Sequence, residues 1–170
     1  MTSSARGSAP ESVGGENANG KGAHDRPVEF WPTAAIKSAL DAGDIEVWQR
    51  IVVAIKRDPF GRTARQVEEV LGDAPAVELS GIARALAEVL VHARQHLESQ
   101  ERSEVAQHIQ LLLDRSGLSR KEFASRVGVP SDDLALYLEA RVSPPASLVI
   151  RMRRLSDRFA RIRAHRPGTN

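Results

Sequence analysis

The chain has 170 residues, a net charge of +2 and no cysteine, which excludes disulfides, iron–sulfur clusters and thiolate zinc sites. Its length suits one sizeable domain or two small ones, and no run approaches the roughly 20 apolar residues of a membrane span. Charge is uneven: residues 28–100 hold 8 Lys and Arg against 11 Asp and Glu, whereas residues 101–170 hold 13 against 8, so a polyanion-binding surface is expected in the last third.

Residues 1–27 are rich in Gly and Ser and lack apolar periodicity. Such a segment cannot bury enough surface to offset its ordering entropy, so a disordered tail is expected, too polar for a signal peptide. Beyond it, nearly every segment has helical spacing and none alternates like a strand. A first helix is predicted from Thr33 to Ala42, with Thr33 as N-cap after Pro32. Asp41-Ala-Gly-Asp is a turn, and Asp44 caps a second helix to about Lys56, with Ile45, Trp48, Ile51, Val52 and Ile55 on one face. Asp58-Pro59-Phe60-Gly61 ends it, because proline cannot continue the helix and biases Asp58 away from helical dihedrals. A third helix, Arg62 to Leu71, stops at Gly72-Asp73-Ala74-Pro75.

A long helix follows from about Val77 to Gln100, its stripe being Leu79, Ile82, Leu86, Leu90, Ala93 and Leu97. It either continues into the next helix or breaks near Ser99–Ser103, where Ser103 could cap a helix bearing Val105, Ile109, Leu112 and Leu113. The charge asymmetry and this pattern suggest an acidic helical domain over 28–100 and a basic one over 101–166.

The most specific pattern comes next. A helix ends at Arg115-Ser116-Gly117, where Gly117 can take the left-handed conformation. Ser119 can cap the helix Arg120 to Val127, with Glu122 completing a capping box. Gly128-Val129 is a tight turn, and Ser131 can cap a third helix through Leu138, with Asp132 and Asp133 favourable in its first turn. Two short helices about a Gly-containing turn are the core of a helix-turn-helix.

In Gly117-Leu118-Ser119-Arg120-Lys121-Glu122-Phe123-Ala124-Ser125-Arg126-Val127-Gly128-Val129-Pro130 the sequence resembles the lambda-repressor-like, XRE-type regulators. The resemblance covers roughly residues 103–160. It places the family's small mid-helix residue on Ala124, apolar anchors on Phe123, Val127, Val129, Leu134 and Tyr137, and the proline after the third helix on Pro144. It implies an all-α chain whose C-terminal part is a five-helix DNA-binding domain.

The resemblance also implies a docking mode, with the third helix in the major groove and the start of the second on phosphate. By position, Arg120 and Lys121 contact phosphate, Ser131, Asp132, Ala135 and Leu136 face bases, and Arg141 is a further phosphate contact. The chain departs from the family at Ser131-Asp132-Asp133 and Glu139, where many relatives carry Arg, Gln, Asn or Lys. Either these acids serve the helix as cap and dipole partners, or the helix has turned to protein recognition.

From Ala146 a last helix sets Leu148, Met152, Leu155, Phe159 and Ile162 within an arc of about 80° at ideal geometry. Arg151, Arg154, Arg158 and Arg161 fill a neighbouring arc of about 80°, available to phosphate or an acidic partner, or simply solvated.

Other signals are weak. His92 and His96 stand one turn apart without a third ligand, so no metal is expected, nor any other cofactor. No phosphate loop or nucleophile motif occurs, and Glu68-Glu69 cannot converge on one substrate, so no enzyme activity is expected. Asp44–Leu71 could be a second helix-turn-helix reading through Arg62, Thr63, Arg65 and Gln66. Its acidic balance favours instead a partner domain anchored by Trp31, Trp48 and Phe60, with a dimer surface among its possible uses.

The expectation is a cytoplasmic, nucleoid-associated bacterial regulator that binds double-stranded DNA as a homodimer. The alternative is an antitoxin or adaptor using the same fold to hold a protein.

Overall fold

The structure is a computed structural model that describes residues 26–73 and 81–165. The expected tail lies outside the described residues except for Arg26 and Pro27, as do residues 77–80 of the expected long helix. Every regular element among the described residues is helical. After a 3-10 turn at Val28–Phe30 come α1 (Thr33–Ala42), α2 (Ile45–Arg57), α3 (Arg62–Gly72), α4 (Gly81–Ser116), α5 (Arg120–Val127), α6 (Ser131–Leu138) and α7 (Ala146–Ala164). No helix among them is long and apolar enough to cross a membrane. The chain divides into two compact units, Met1–Val91 and His92–Asn170.

In the first unit, Trp31, Ile36, Ile51, Ile55, Val67 and Leu86 are fully buried. Trp31 is the centre of its polar ties. Its indole Nε1 donates to the Arg26 carbonyl at 2.9 Å, and Gln66 Nε2 donates to the Trp31 carbonyl at 2.9 Å. The Arg50 guanidinium lies 5.0 Å from the Trp31 ring centroid, a cation–π distance. Asp44 caps α2 by accepting from the Glu46 amide at 2.9 Å, and Gly43 ends α1 at φ 68°.

Three expectations change in this unit. Thr33 is the first helical residue of α1, and the extended Pro32 is its N-cap. Phe60 is 47% exposed and Ile45 64% exposed, while Pro59 is buried in the turn between α2 and α3. Thr63 and Gln66 are buried, so α3 spends two of the four residues suggested for a reading helix on its own core. Of the four, Arg62 and Arg65 are exposed.

α4 runs unbroken through residues 99–103, which contain neither Gly nor Pro. Ser103 starts no helix: its hydroxyl donates back to the Ser99 carbonyl at 3.0 Å, the i−4 bond open to serine inside a helix.

In the second unit, α4 gives Ile109, Leu112 and Leu113 to one core. α5 adds Phe123, Ala124 and Val127, α6 adds Leu134, and α7 adds Leu148 and Met152. Val105, Leu118, Val129, Tyr137, Leu138 and Leu155 pack around them. Each large side chain so buried stabilises the fold by about 1.5–3 kcal/mol, before the cost of ordering it. Of the five helices the resemblance implies, the described residues from 92 to 165 show the end of α4 and three more. α7 is one 19-residue helix with no Gly or Pro between Ala146 and Ala164 to divide it.

Candidate nucleic-acid interface

The local geometry of residues 116–145 follows from how each helix is capped and closed. Gly117 closes α4 at φ 68°, and the Ser116 hydroxyl donates to the Leu113 carbonyl at 2.6 Å while accepting from the Leu118 amide at 3.1 Å. Ser119 caps α5 by accepting from the Glu122 amide at 3.3 Å. The Glu122 carboxylate does not return to Ser119 to complete a capping box. It binds Arg126, whose Nη2 and Nε donate to Oε1 at 2.8 and 3.1 Å. Gly128 closes α5 at φ 83°, the Val129 amide returning to the Ala124 carbonyl at 3.0 Å and the Gly128 amide to the Ser125 carbonyl at 3.3 Å. This is the bonding of a Schellman cap, and Gly128 tolerates the left-handed region because it has no Cβ.

α6 begins after Pro130, which is its N-cap; Ser131 is the first helical residue and makes no side-chain cap bond. α6 ends in a second Schellman arrangement. The Ala140 amide donates to the Tyr137 carbonyl at 3.2 Å and the Arg141 amide to the Leu136 carbonyl at 3.0 Å. Here the left-handed residue is Ala140 at φ 56°, the one non-glycine with positive φ among the described residues.

α7 ties the unit together through arginines, among them Arg151 of the expected outward stripe. Arg151 Nη1 donates to the Val127 carbonyl at 3.1 Å, at the C-terminal end of α5. Arg163 donates to the Arg115 carbonyl at the end of α4, and its guanidinium lies beside Gly117. Both cations meet helix ends carrying partial negative charge. Arg115 in turn pairs with Asp157 and donates from Nε to the buried Ser156 hydroxyl at 3.2 Å. The Arg126 guanidinium sits 4.8 Å from the Phe159 ring centroid. Arg161 Nε donates to the Asp157 carbonyl at 3.3 Å.

The candidate contacts therefore separate into two groups. Arg120, Lys121, Arg141, Arg154 and Arg158 are exposed, and their side chains make no hydrogen bond or ion pair among the described residues. Arg151 is committed to the fold. Arg153 is also exposed and unpaired among the described residues, although it lies outside the stripe, so helical angle does not mark it.

On α6, Leu134 faces the core with Tyr137 and Leu138 beside it. At 100° per residue, Asp132, Ala135, Leu136 and Glu139 fall on the opposite side. Ser131, Asp132 and Glu139 are exposed, and Asp133, Ala135 and Leu136 are half-buried. His92 and His96 are exposed on α4, and no metal-holding group of three His, Cys, Asp or Glu occurs among the described residues.

Comparison with protein-family models, with curated proteins and with solved structures gave no match.

Proposed function

We propose that the second unit is a helix-turn-helix of lambda-repressor-like type that binds double-stranded DNA, and that the chain is a transcriptional regulator. The observation that carries this reading is the arrangement around α6. A short capped helix and a left-handed glycine turn precede it, its outward face packs on nothing in the core, and unpaired cations stand at Arg120, Lys121 and Arg141, before and after it in the chain. In such a docking α6 enters the major groove, and these three cations, with Arg154 and Arg158, meet phosphate. A unit this small binds weakly alone, so the working species is a homodimer on two half-sites about one helical turn apart. The first unit exposes Phe30, Ile45 and Val53 and is assigned to partner or dimer contacts.

Fluorescence anisotropy of the full chain on random duplex DNA tests the reading. Affinity should fall steeply with salt as counterions are released. Absence of binding at low salt would sink it, and a monomeric mass in light scattering at both low and high salt would sink the dimer.

One observation favours a second reading, an antitoxin or adaptor that holds a protein. The outward face of α6 carries Asp132 and Glu139 around Leu136, a surface that phosphate repels. Under that reading the anisotropy experiment gives no binding.

A further inference from the structure

From Ser131 to Ala140 the chain contains no Arg, Lys, Asn, Gln or His. α6 therefore lacks every side chain that pairs two-pronged with guanine O6 and N7 or with adenine N6 and N7. Its outward face offers a different chemistry. Leu136 lies near the middle of that face and is absent from the apolar residues packed on the core, although it is the largest apolar side chain there. Ala135 stands beside it. Asp132, one turn earlier, presents a carboxylate that only accepts hydrogen bonds. The major-groove groups complementary to these are the 5-methyl of thymine, which is apolar, and the N4 amine of cytosine, which donates.

Resting on the proposed function, we infer that α6 selects its site by pyrimidine chemistry, with Leu136 and Ala135 on thymine methyls and Asp132 on a cytosine amine, and makes no guanine contact of its own. Purines opposite these pyrimidines are specified only through pairing. The positive charge that holds the duplex stands off α6, at Arg120, Lys121 and Arg141, so that grip and selection reside on separate residues.

The test enriches binding sequences from a random duplex pool with the full chain. The enriched duplex is then rebuilt with uracil for thymine, which deletes the methyl and nothing else. Affinity should fall about fourfold for each methyl that Leu136 or Ala135 covers, the value of one buried methyl-sized group. Leu136→Ala should lose the discrimination at the methyls Leu136 covers and keep only the part due to Ala135, while Arg120→Ala with Lys121→Ala should weaken both duplexes by the same factor. Salt-dependent binding with equal affinity for the thymine and uracil duplexes would overturn this inference and leave the proposed function standing. Enrichment of a site whose guanines alone determine affinity would also overturn it. No binding to any duplex at low salt would remove the proposed function and this inference with it. Because the uracil comparison is made first on the unaltered chain, a folding defect in Leu136→Ala cannot mask the result.

Discussion

Arg151 Nη1 donates to the Val127 carbonyl across 3.1 Å, so an arginine from α7 closes the C-terminal end of α5 next to the Gly128 turn. The bond fixes the end of the helix from which α6 departs. Arg154, one turn on, makes no such contact among the described residues. Arg151→Ala should therefore lower stability by about 1 kcal/mol, as the hydrogen bond and the helix-end charge are both lost. Arg154→Ala should leave the thermal midpoint unchanged. Calorimetry on the two variants checks this, and equal midpoints would return Arg151 to the exposed stripe.

Two of the left-handed cap residues, Gly128 and Ala140, should respond with opposite signs. At Gly128 a Cβ would stand 3.7 Å from the Arg151 Nη1, an ordinary contact, so Gly128→Ala carries only the backbone cost of about 1–2 kcal/mol. Ala140 already bears that cost at φ 56°. Ala140→Gly should raise stability by about 1 kcal/mol, since glycine takes this conformation freely and Arg141 keeps its bond to Leu136. Chemical denaturation of both variants measures the pair.

Ser119 and Ser131 stand at similar places in the sequence and differ in the structure. Ser119 accepts the Glu122 amide, whereas Ser131 is already inside α6 and caps nothing. Ser119→Ala should cost about 1 kcal/mol. Ser131→Ala should leave stability within about 0.5 kcal/mol of the parent, as surface changes away from such features do. Urea midpoints decide, and a large loss at Ser131 would restore it as a cap.

That contrast marks how far the sequence could be read. Helix limits around Gly43, Gly117 and Gly128 were legible because a left-handed glycine stops a helix wherever it falls. The apolar anchors Phe123, Val127 and Leu134 were legible through the family resemblance, which implies them at these positions. Two starts preceded by proline were not. Pro32 and Pro130 each take the N-cap role with extended ψ, accept the first intrahelical bonds through their carbonyls, and move the start one residue earlier than a serine or threonine rule suggests, whereas the start of α7 at Ala146, after Pro145, agrees with the sequence reading. Nor was the division of the arginine stripe legible. Period places Arg151 beside Arg154, but only tertiary packing brings the Val127 carbonyl within its reach.

In the first unit Thr63 is 4% exposed and its hydroxyl, buried in α3, has no hydrogen-bond partner among the described residues. A buried polar group left unpaired costs about 1–3 kcal/mol. Thr63→Val exchanges that hydroxyl for a methyl of nearly the same shape. It should raise the thermal midpoint by about 1 kcal/mol worth of stability, read by calorimetry, with the Asp44 cap and the Trp31 ties untouched. A fall in stability would mean that the hydroxyl is bonded in solution.

Arg120 and Lys121 open α5, where the family resemblance puts phosphate, and neither supports the fold through any pairing among the described residues. Their loss should thus spare stability and act on DNA alone. Each phosphate contact contributes about −0.9 to the slope of log affinity against log salt. Arg120→Ala with Lys121→Ala should make that slope shallower by about 1.8 and weaken enriched and random duplexes by the same factor. Arg151→Ala, by contrast, should change the slope little once its lower stability is allowed for, because its guanidinium is turned to Val127. An unchanged slope in the double variant would place the phosphates elsewhere, with Arg154 and Arg158 of α7 the next to be replaced.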